Sequence, residues 1–239
     1  MQLEIILLCV VGGYLWGSIS IARIVTRIVA PDQKLTEVEL PDPNTGGTFT
    51  LKTVGATTAS MILGPKYGGL IGILDIFKSA IPALILRLIF PDQPYFLFLG
   101  TAIVIGHIYP LYFGFRGGGG LSPALGTLLV LDPLGVLVSL ILAFVIGMMI
   151  LKSIELAVLG PPFLFVIWIA IFSGDWVHIV FSIVLVLLLI LATIPDLMVN
   201  MRARKAGKSD LYNTMDIIPM GKMMKKMMER IGLEPKSKK

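Results

Sequence analysis

The stretch GHIYPLYFGFRGGGG (residues 106–120) joins two apolar segments, residues 95–105 before it and residues 121–131 after it. Four consecutive glycines at its end leave backbone N–H groups unshielded and free to adopt positive φ. Arg116, directly before them, supplies a planar cation suited to a phosphate or carboxylate. The stretch therefore indicates an anion site near the lipid headgroups, although glycines that only let two helices turn tightly would give the same pattern.

Composition places the chain in a membrane. Of its 239 residues, 56% are hydrophobic and 15% charged, and the mean hydropathy is +0.88, whereas a soluble domain has about 25% charged residues. One cysteine, Cys9, excludes an internal disulfide framework and a cysteine-based metal site. The two histidines, His107 and His178, lack metal-ligand spacing, so no metal is expected. The apolar N-terminal run lacks a basic leader and a cleavage site, and we expect a retained first span.

Apolar segments predict an all-α integral membrane fold with about seven transmembrane helices. They cover residues 3–28, 61–90, 95–113, 121–131, 134–151, 156–172 and 177–194. The fourth segment is too short to cross about 30 Å of hydrocarbon unless the glycine loop itself lies inside the membrane, so we expect a half-length helix there. Residues 31–58 are rich in proline, glycine and acids and are expected to form a long polar loop.

Basic residues predict the orientation. Those on alternate connections are Lys34, Lys52, Arg116, Lys152, Arg202, Arg204, Lys205 and Lys208, whereas the turns at 91–94, 132–133 and 173–176 contain no lysine or arginine. The positive-inside rule then predicts an outer N-terminus, an inner C-terminus and a cytoplasmic active face in the plasma membrane. We expect a membrane domain over residues 1–200 and a basic cytoplasmic tail over residues 201–239.

The tail is predicted to contain an amphipathic helix. Its apolar face consists of Met220, Met223, Met224, Met227, Met228 and Ile231, and its basic face consists of Lys222, Lys225, Lys226 and Arg230. This pattern is typical of a helix that lies on anionic lipid. A soft methionine face that binds a partner protein is the alternative, and the membrane surface is the favoured interpretation.

Charged and polar residues at three places could carry chemistry. Asp75 and Lys78, three residues apart inside an apolar span, indicate either a functional site or an ion pair that locks helix packing. His107 could act as an acid or base or bind substrate, although a helix-end histidine bonded to backbone is more common. The run TVGATTAS (residues 53–60) precedes a span and could place N–H groups and hydroxyls against a phosphate, or simply cap the helix.

Four motifs resemble those of the membrane family of acyl-phosphate:glycerol-3-phosphate acyltransferases. GSIS (17–20) resembles the family's GSIP, and GATT (55–58) resembles the end of its GSGNxGATN. LDIFKSAIP (74–82) is similar to LDxxKGxxP, and residues 106–120 are similar to GHxxPxxxxFKGGKG. The resemblance implies a seven-helix fold and acyl transfer from acyl-phosphate to glycerol 3-phosphate at the inner membrane face, without metal or cofactor.

The motifs and the resemblance together give a substrate-binding set, with no catalytic residue assigned. Its members are Thr53, Gly55, Thr57, Thr58, His107, Arg116, Gly117, Gly118, Gly119, Gly120 and Asn200, the last similar to the asparagine of a C-terminal family motif, HRxN. Thr57, Thr58 and Asn200 would orient the acceptor. Arg116 and the glycine amides would hold the donor phosphate or a developing oxyanion. Asp75 and Lys78 would form a supporting ion pair.

Several family positions are replaced in this chain. Leu51 and Glu155 stand where the family has serines, Met61 where it has an arginine, Gly119 where it has a lysine, and Leu197 near its late histidine. Each lost charged contact to a phosphate costs about 1.5–3 kcal/mol. Lys52 and Arg116 are the candidates for partial replacement.

The leading functional hypothesis is a membrane acyltransferase of glycerolipid and phospholipid synthesis, acting on glycerol 3-phosphate or a less anionic alcohol. Its partners would be acyl-phosphate, the acceptor and membrane lipid, with no role for nucleic acid. The alternative is a catalytically silent homologue that binds lipid or an active enzyme. A small transporter is disfavoured because the chain has no evident internal repeat.

Overall fold

The computed structural model describes residues 1–33, 35, 38–41, 48–51, 53–151, 154–205 and 230. In this part of the chain the α-helices are α1 (Leu3–Gly17), α2 (Ile21–Val29), α3 (Ala56–Leu63), α4 (Pro65–Ile89), α5 (Tyr95–Ile108), α6 (Leu121–Leu131), α7 (Pro133–Phe144), α8 (Ile154–Phe172) and α9 (Trp176–Lys205). A 3₁₀ turn covers Leu111–Phe113, and α7 continues as a π-helix over Val145–Ile150.

The structure is that of an integral membrane protein. Five segments are long and apolar enough to cross a bilayer: Leu3–Val29, Pro65–Ile89, Tyr95–Phe113, Pro133–Ile150 and Trp176–Ile194. The two shorter apolar helices, α6 and α8, correspond to the remaining predicted segments. Many large apolar side chains on the outer faces of the helices are exposed, as expected for surfaces that lipid covers.

Two predicted spans are interrupted, and one predicted loop contains strands. The first span breaks between α1 and α2, where the Ser20 hydroxyl accepts a hydrogen bond from Arg23 N and caps α2. The second breaks at Gly64, whose φ of +93° ends α3 before Pro65 starts α4. Within the predicted polar loop, β1 (Val38–Pro41) and β2 (Thr48–Leu51) form an antiparallel hairpin. The predicted all-α integral membrane fold is therefore confirmed, and this short hairpin in the polar loop is an addition that the sequence did not predict.

Helix α5 is the centre of the bundle. More than half of the residues in its membrane-spanning stretch are buried, against a third or less in each of the other four candidate membrane-spanning segments. Small residues let α1 approach it closely, because a Cβ at Gly17 would lie 2.3 Å from Ile103 O and one at Gly106 would lie 2.2 Å from Tyr14 O. The main apolar core continues from α5 through α6, α8 and α9. These contacts hold the C-terminal end of α5 in place, shortly before the chain enters the glycine loop (residues 114–120).

Polar side chains bond to backbone groups at the C-terminal end of α6, the end that lies away from the four glycines. Arg87, in the last turn of α4, donates to the carbonyl oxygens of Val130 and Leu131, the latter at 3.1 Å. Asp132 accepts a hydrogen bond from Gly135 N at 2.9 Å and another from Trp168 Nε1 at 2.8 Å. The last two carbonyls of α6 and the Gly135 amide in the first turn of α7 therefore have partners within the protein.

Candidate functional site

The glycine loop (residues 114–120) is fastened to three separate parts of the fold. Val54 N donates to Gly117 O at 2.8 Å, and Gly118 N donates to His107 O at 3.1 Å. From α2, Arg23 Nη2 donates to Arg116 O at 2.7 Å. These bonds join the loop to the segment before α3, to the end of α5 and to α2, so the predicted site residues between 53 and 58 and between 106 and 120 lie together.

Close approach explains two of the four glycines. A Cβ on Gly117 would lie 2.0 Å from His107 O, and a Cβ on Gly118 would lie 2.2 Å from His107 Nε2. Only Gly120, with φ of +80°, uses the left-handed conformation that we predicted for the glycine run. At Gly119 a Cβ would meet no atom within 4 Å. The family's lysine is therefore absent from a position that has room for a side chain.

The N-termini of two helices converge on this loop. In α6 the first intrahelical bond runs from Ala124 N to Gly120 O, and in α3 it runs from Ala59 N to Gly55 O. The amides before Ala124 and Ala59 have no intrahelical carbonyl to bond. A Cβ on Gly55 would lie only 3.3 Å from Gly118 Cα, so the start of α3 lies against the glycine loop that leads into α6. Two positive helix ends beside one another favour an anion between them.

The three predicted threonines have different environments. Thr57, in the first turn of α3, is exposed. Thr58 is fully buried, and its hydroxyl donates to Thr53 O, which closes the turn that enters α3. The Thr57 hydroxyl can reach a ligand, whereas the Thr58 hydroxyl is engaged within the turn. This difference depends on the helix phase and was not visible in the sequence.

Asp75, Lys78 and His107 form one buried polar network beneath the loop. Lys78 Nζ lies 3.2 Å from Asp75 Oδ1 and 3.3 Å from His107 Nδ1, and His107 Nδ1 lies 3.5 Å from Asp75 Oδ1. Lys78 Nζ also donates to Gly17 O at 3.1 Å and Ile19 O at 3.0 Å, the carbonyls freed by the break in the first span. His107 therefore packs its ring between this network and Gly118, where it supports the loop.

Some predicted features lie outside the described residues. Asn200 falls in the backbone of α9, but its side chain is not described, nor are those of Leu51, Lys52, Glu155 and Leu197. The Met-rich tail helix, apart from the single residue Arg230, also lies outside. Helix α9 itself continues to Lys205, beyond the predicted domain boundary at residue 200. Within the described chain, no three histidine, cysteine, aspartate or glutamate residues are grouped as a metal site.

Sequence reasoning missed the residues that anchor the loop. Neither Arg23 nor Val54 belongs to the predicted substrate-binding set, although Val54 lies within the run TVGATTAS. Arg23 bonds to a residue 93 positions away, a contact that no local pattern encodes. The one available signal was the presence of two arginines, Arg23 and Arg27, close to the predicted membrane boundary.

Comparison with known proteins gives a consistent family. The sequence model of the family described as glycerol-3-phosphate acyltransferase matches residues 7–200. A glycerol-3-phosphate acyltransferase of Photobacterium profundum is 34% identical over 168 residues, which cover 66% of this chain and 73% of that protein. One of Aquifex aeolicus is 39% identical over 128 residues, 53% of this chain and 60% of that protein. The chain thus matches less than two thirds of the Aquifex protein.

Solved structures support the same relationship. Two crystal structures of PlsY (YgiH), described as an integral membrane glycerol 3-phosphate acyltransferase, are similar to this fold with a TM-score of 0.66 each. They are a glycerol 3-phosphate form at 29% sequence identity and a lysophosphatidic acid form at 30%. Each comparison covers 86% of this chain and 94% of the PlsY chain.

Proposed function

Because this chain belongs to the glycerol-3-phosphate acyltransferase family, we propose that it transfers an acyl group from acyl-phosphate to glycerol 3-phosphate or a less anionic alcohol. The reaction would supply the first acylated intermediate of phospholipid synthesis. The observation that carries the proposal is the convergence of the α3 and α6 N-termini on one glycine loop, next to Arg116. That arrangement suits a reaction in which both substrates are anionic.

The donor phosphate is assigned to the α6 side of the site. Open amides at the start of α6, from Gly119 onward, and the Arg116 guanidinium would bind the phosphate oxygens by charge-assisted hydrogen bonds. The acceptor hydroxyl oxygen attacks the acyl carbon, and the bond from that carbon to the phosphate oxygen breaks. Phosphate leaves with the electron pair and takes up the proton that the acceptor hydroxyl releases, so the products are the ester and inorganic phosphate. Donors fixed before the reaction stabilise the charge that develops on the acyl oxygen and the leaving phosphate.

The acceptor is assigned to the α3 side. Thr57 is exposed in the first turn of α3, so its hydroxyl and the neighbouring amides can bind the acceptor, while Thr58 and Thr53 hold the turn in place. Asn200 completes the acceptor site in this proposal. Since Met61 and Gly119 lack the cationic side chains of the family pattern, an acceptor with less negative charge than glycerol 3-phosphate is also compatible.

The proposed location is the plasma membrane, with the glycine loop facing the cytoplasm. The basic residues on alternate connections support this orientation through the positive-inside rule. The basic, Met-rich tail would then lie on the anionic inner leaflet.

The test is product formation by the purified full-length chain. Palmitoyl phosphate is supplied with radiolabelled glycerol 3-phosphate or radiolabelled glycerol, and the products are separated by thin-layer chromatography. We expect lysophosphatidate with the first acceptor or monoacylglycerol with the second, and loss of either product in the Arg116→Ala variant. A folded wild-type chain that acylates neither acceptor would contradict the proposal and favour a catalytically silent homologue.

A further inference from the structure

Arg23 holds the backbone of the glycine loop from a helix outside the predicted site. It lies in the first turn of α2, and its Nη2 donates to Arg116 O at 2.7 Å. Its guanidinium also stacks on the ring of Phe113, with Cζ 4.4 Å from the ring centroid. Both contacts are made to residues 113–116, which directly precede the four consecutive glycines.

In the part of the chain that the structure describes, the surroundings of Arg23 offer its guanidinium few hydrogen-bond acceptors and no ion pair, which is unfavourable for a residue that only stabilises the fold. Its Nη1 is buried and has no hydrogen-bond partner among the described residues. No carboxylate of the described chain forms an ion pair with it. Leaving one guanidinium nitrogen buried without an acceptor costs free energy, so stability alone does not account for an arginine here.

The segment that Arg23 holds needs a restraint. Phe115 has φ of +59°, a left-handed conformation that is unfavourable for a bulky residue, and Gly114 beside it has φ of +60°. Such a backbone persists only where surrounding contacts hold it. Arg23 supplies one at Arg116 O, and Val54 supplies the next at Gly117 O.

We propose that Arg23 is a positioning residue, which fixes the Arg116 backbone so that the Arg116 guanidinium and the α6 amides meet the same phosphate. The inference rests on the proposed function, because the phosphate is that of the acyl-phosphate donor. It predicts an effect on donor binding that exceeds any effect on acceptor binding. The proposal gives Arg23 no substrate contact, because its Nη2 is bonded to Arg116 O and its Nη1 is buried.

The chain provides a matched control one helical turn away. Arg27 is on the same helix and carries the same charge, but it is exposed. We compare Arg23→Met and Arg23→Lys with Arg27→Met in the purified full-length protein. Methionine keeps an apolar stem against Phe113 and removes the donors, so folding is preserved, while lysine keeps a charge that can donate to Arg116 O but lacks the planar fork.

Steady-state kinetics with palmitoyl phosphate give the first readout. We expect Arg23→Met to raise KM for palmitoyl phosphate about tenfold, the loss of one charge-assisted interaction made through the loop, while KM for the acceptor changes less than about twofold. Arg23→Lys should recover part of the loss, and Arg27→Met should match the wild type. Equal effects of Arg23→Met and Arg27→Met, or equal changes in both KM values, would overturn the assignment.

Hydrogen–deuterium exchange gives a second readout that does not depend on activity. Phe115 N and Arg116 N are bonded within the turn, to Pro110 O and Phe113 O. We expect Arg23→Met to speed exchange in residues 111–118, with no change in Arg27→Met. If the wild type is inactive, the proposed function fails but this experiment still decides whether Arg23 positions the loop. Unchanged exchange in Arg23→Met would refute the positioning role.

Discussion

The turns at the two ends of α6 are built in opposite ways. At the C-terminal end, Arg87 donates to the carbonyls of Val130 and Leu131, and Asp132 accepts from Gly135 N and from the Trp168 indole. At the N-terminal end, the glycine loop is tied down through the carbonyls of Arg116 and Gly117 and the amide of Gly118, while the amides that start α6 have no intrahelical partners.

The difference separates structure from function. A helix end inside a membrane protein normally has its backbone groups satisfied, as the Asp132 end does. A helix start whose amides lack intrahelical partners, on a loop that other contacts hold in place, can bind an anion, and this is the role that we propose for the glycine loop. Substitutions at the Asp132 end should therefore reduce stability with activity retained, whereas substitutions of Arg116 or Gly118 on the glycine loop should reduce activity more than stability.

The largest effect is expected in the buried network under the loop. Asp75→Ala leaves the Lys78 charge buried without its carboxylate, which costs about 3–5 kcal/mol and lowers the thermal midpoint by roughly 6–20 °C. Unfolding can be followed with a thiol-reactive dye, because Cys9 is the one cysteine of the chain and is buried.

The control for this prediction is the double variant Asp75→Ala/Lys78→Met. It removes both charges and should recover part of the lost stability. A double variant that is less stable than Asp75→Ala would show that the pair is not the supporting element that we describe.

The next largest effects are expected for two arginines at opposite ends of α6, on activity at one end and on stability at the other. Arg116→Ala removes the proposed phosphate ligand and should lower kcat/KM about 100-fold. Arg87→Ala exposes carbonyls at the end of α6 and should lose about 1–3 kcal/mol of stability with kcat/KM unchanged. The comparison fails if both variants lose activity and stability together.

A smaller effect is expected at Asp132. Asp132→Ala removes the cap of α7 and the acceptor of the Trp168 indole, so it should cost about 1–2 kcal/mol of stability without changing kcat. Asp92→Ala is the matched control, because Asp92 is an exposed carboxylate in another turn. A loss of activity in Asp132→Ala at full stability would mean that this end also takes part in catalysis.

The smallest effect is a gain. A Cβ added at Gly119 would meet no atom within 4 Å. Gly119→Lys therefore adds a cation without a clash and should lower KM for palmitoyl phosphate about five- to tenfold. Gly119→Gln has a similar reach without the charge and should leave KM close to that of the wild type. If both variants lower KM equally, charge is not what the loop lacks.

Much of the architecture follows from local sequence. The bounds of α6 agree with the predicted segment because Gly120 and the Asp132–Pro133 pair mark its ends. The breaks at residues 18–20 and at Gly64 were not predicted. The first depends on Lys78, about 60 residues away, whose ammonium group donates hydrogen bonds to the carbonyls that the break leaves free.

The motifs identified segments that the structure brings together, but they did not indicate the different environment of each residue. Gly117, Gly118 and Gly119 cannot be told apart in the sequence. In the structure, His107 lies where a Cβ on Gly117 or Gly118 would be, whereas the space beside Gly119 is open. Likewise, the depth of Thr58 and the reach of Arg23 depend on how α3 and α2 pack. These are tertiary contacts, which residue spacing does not specify.

The measurement that tests the central claim most directly compares two neighbouring glycines of the loop. Gly118→Ala places a Cβ where His107 Nε2 lies and Gly119→Ala places one in open space. We predict that Gly118→Ala lowers kcat/KM for lysophosphatidate formation about 100-fold through displacement of the loop, while Gly119→Ala stays within about threefold of the wild type. Wild-type activity in a folded Gly118→Ala variant would contradict the account that this loop geometry forms the phosphate site.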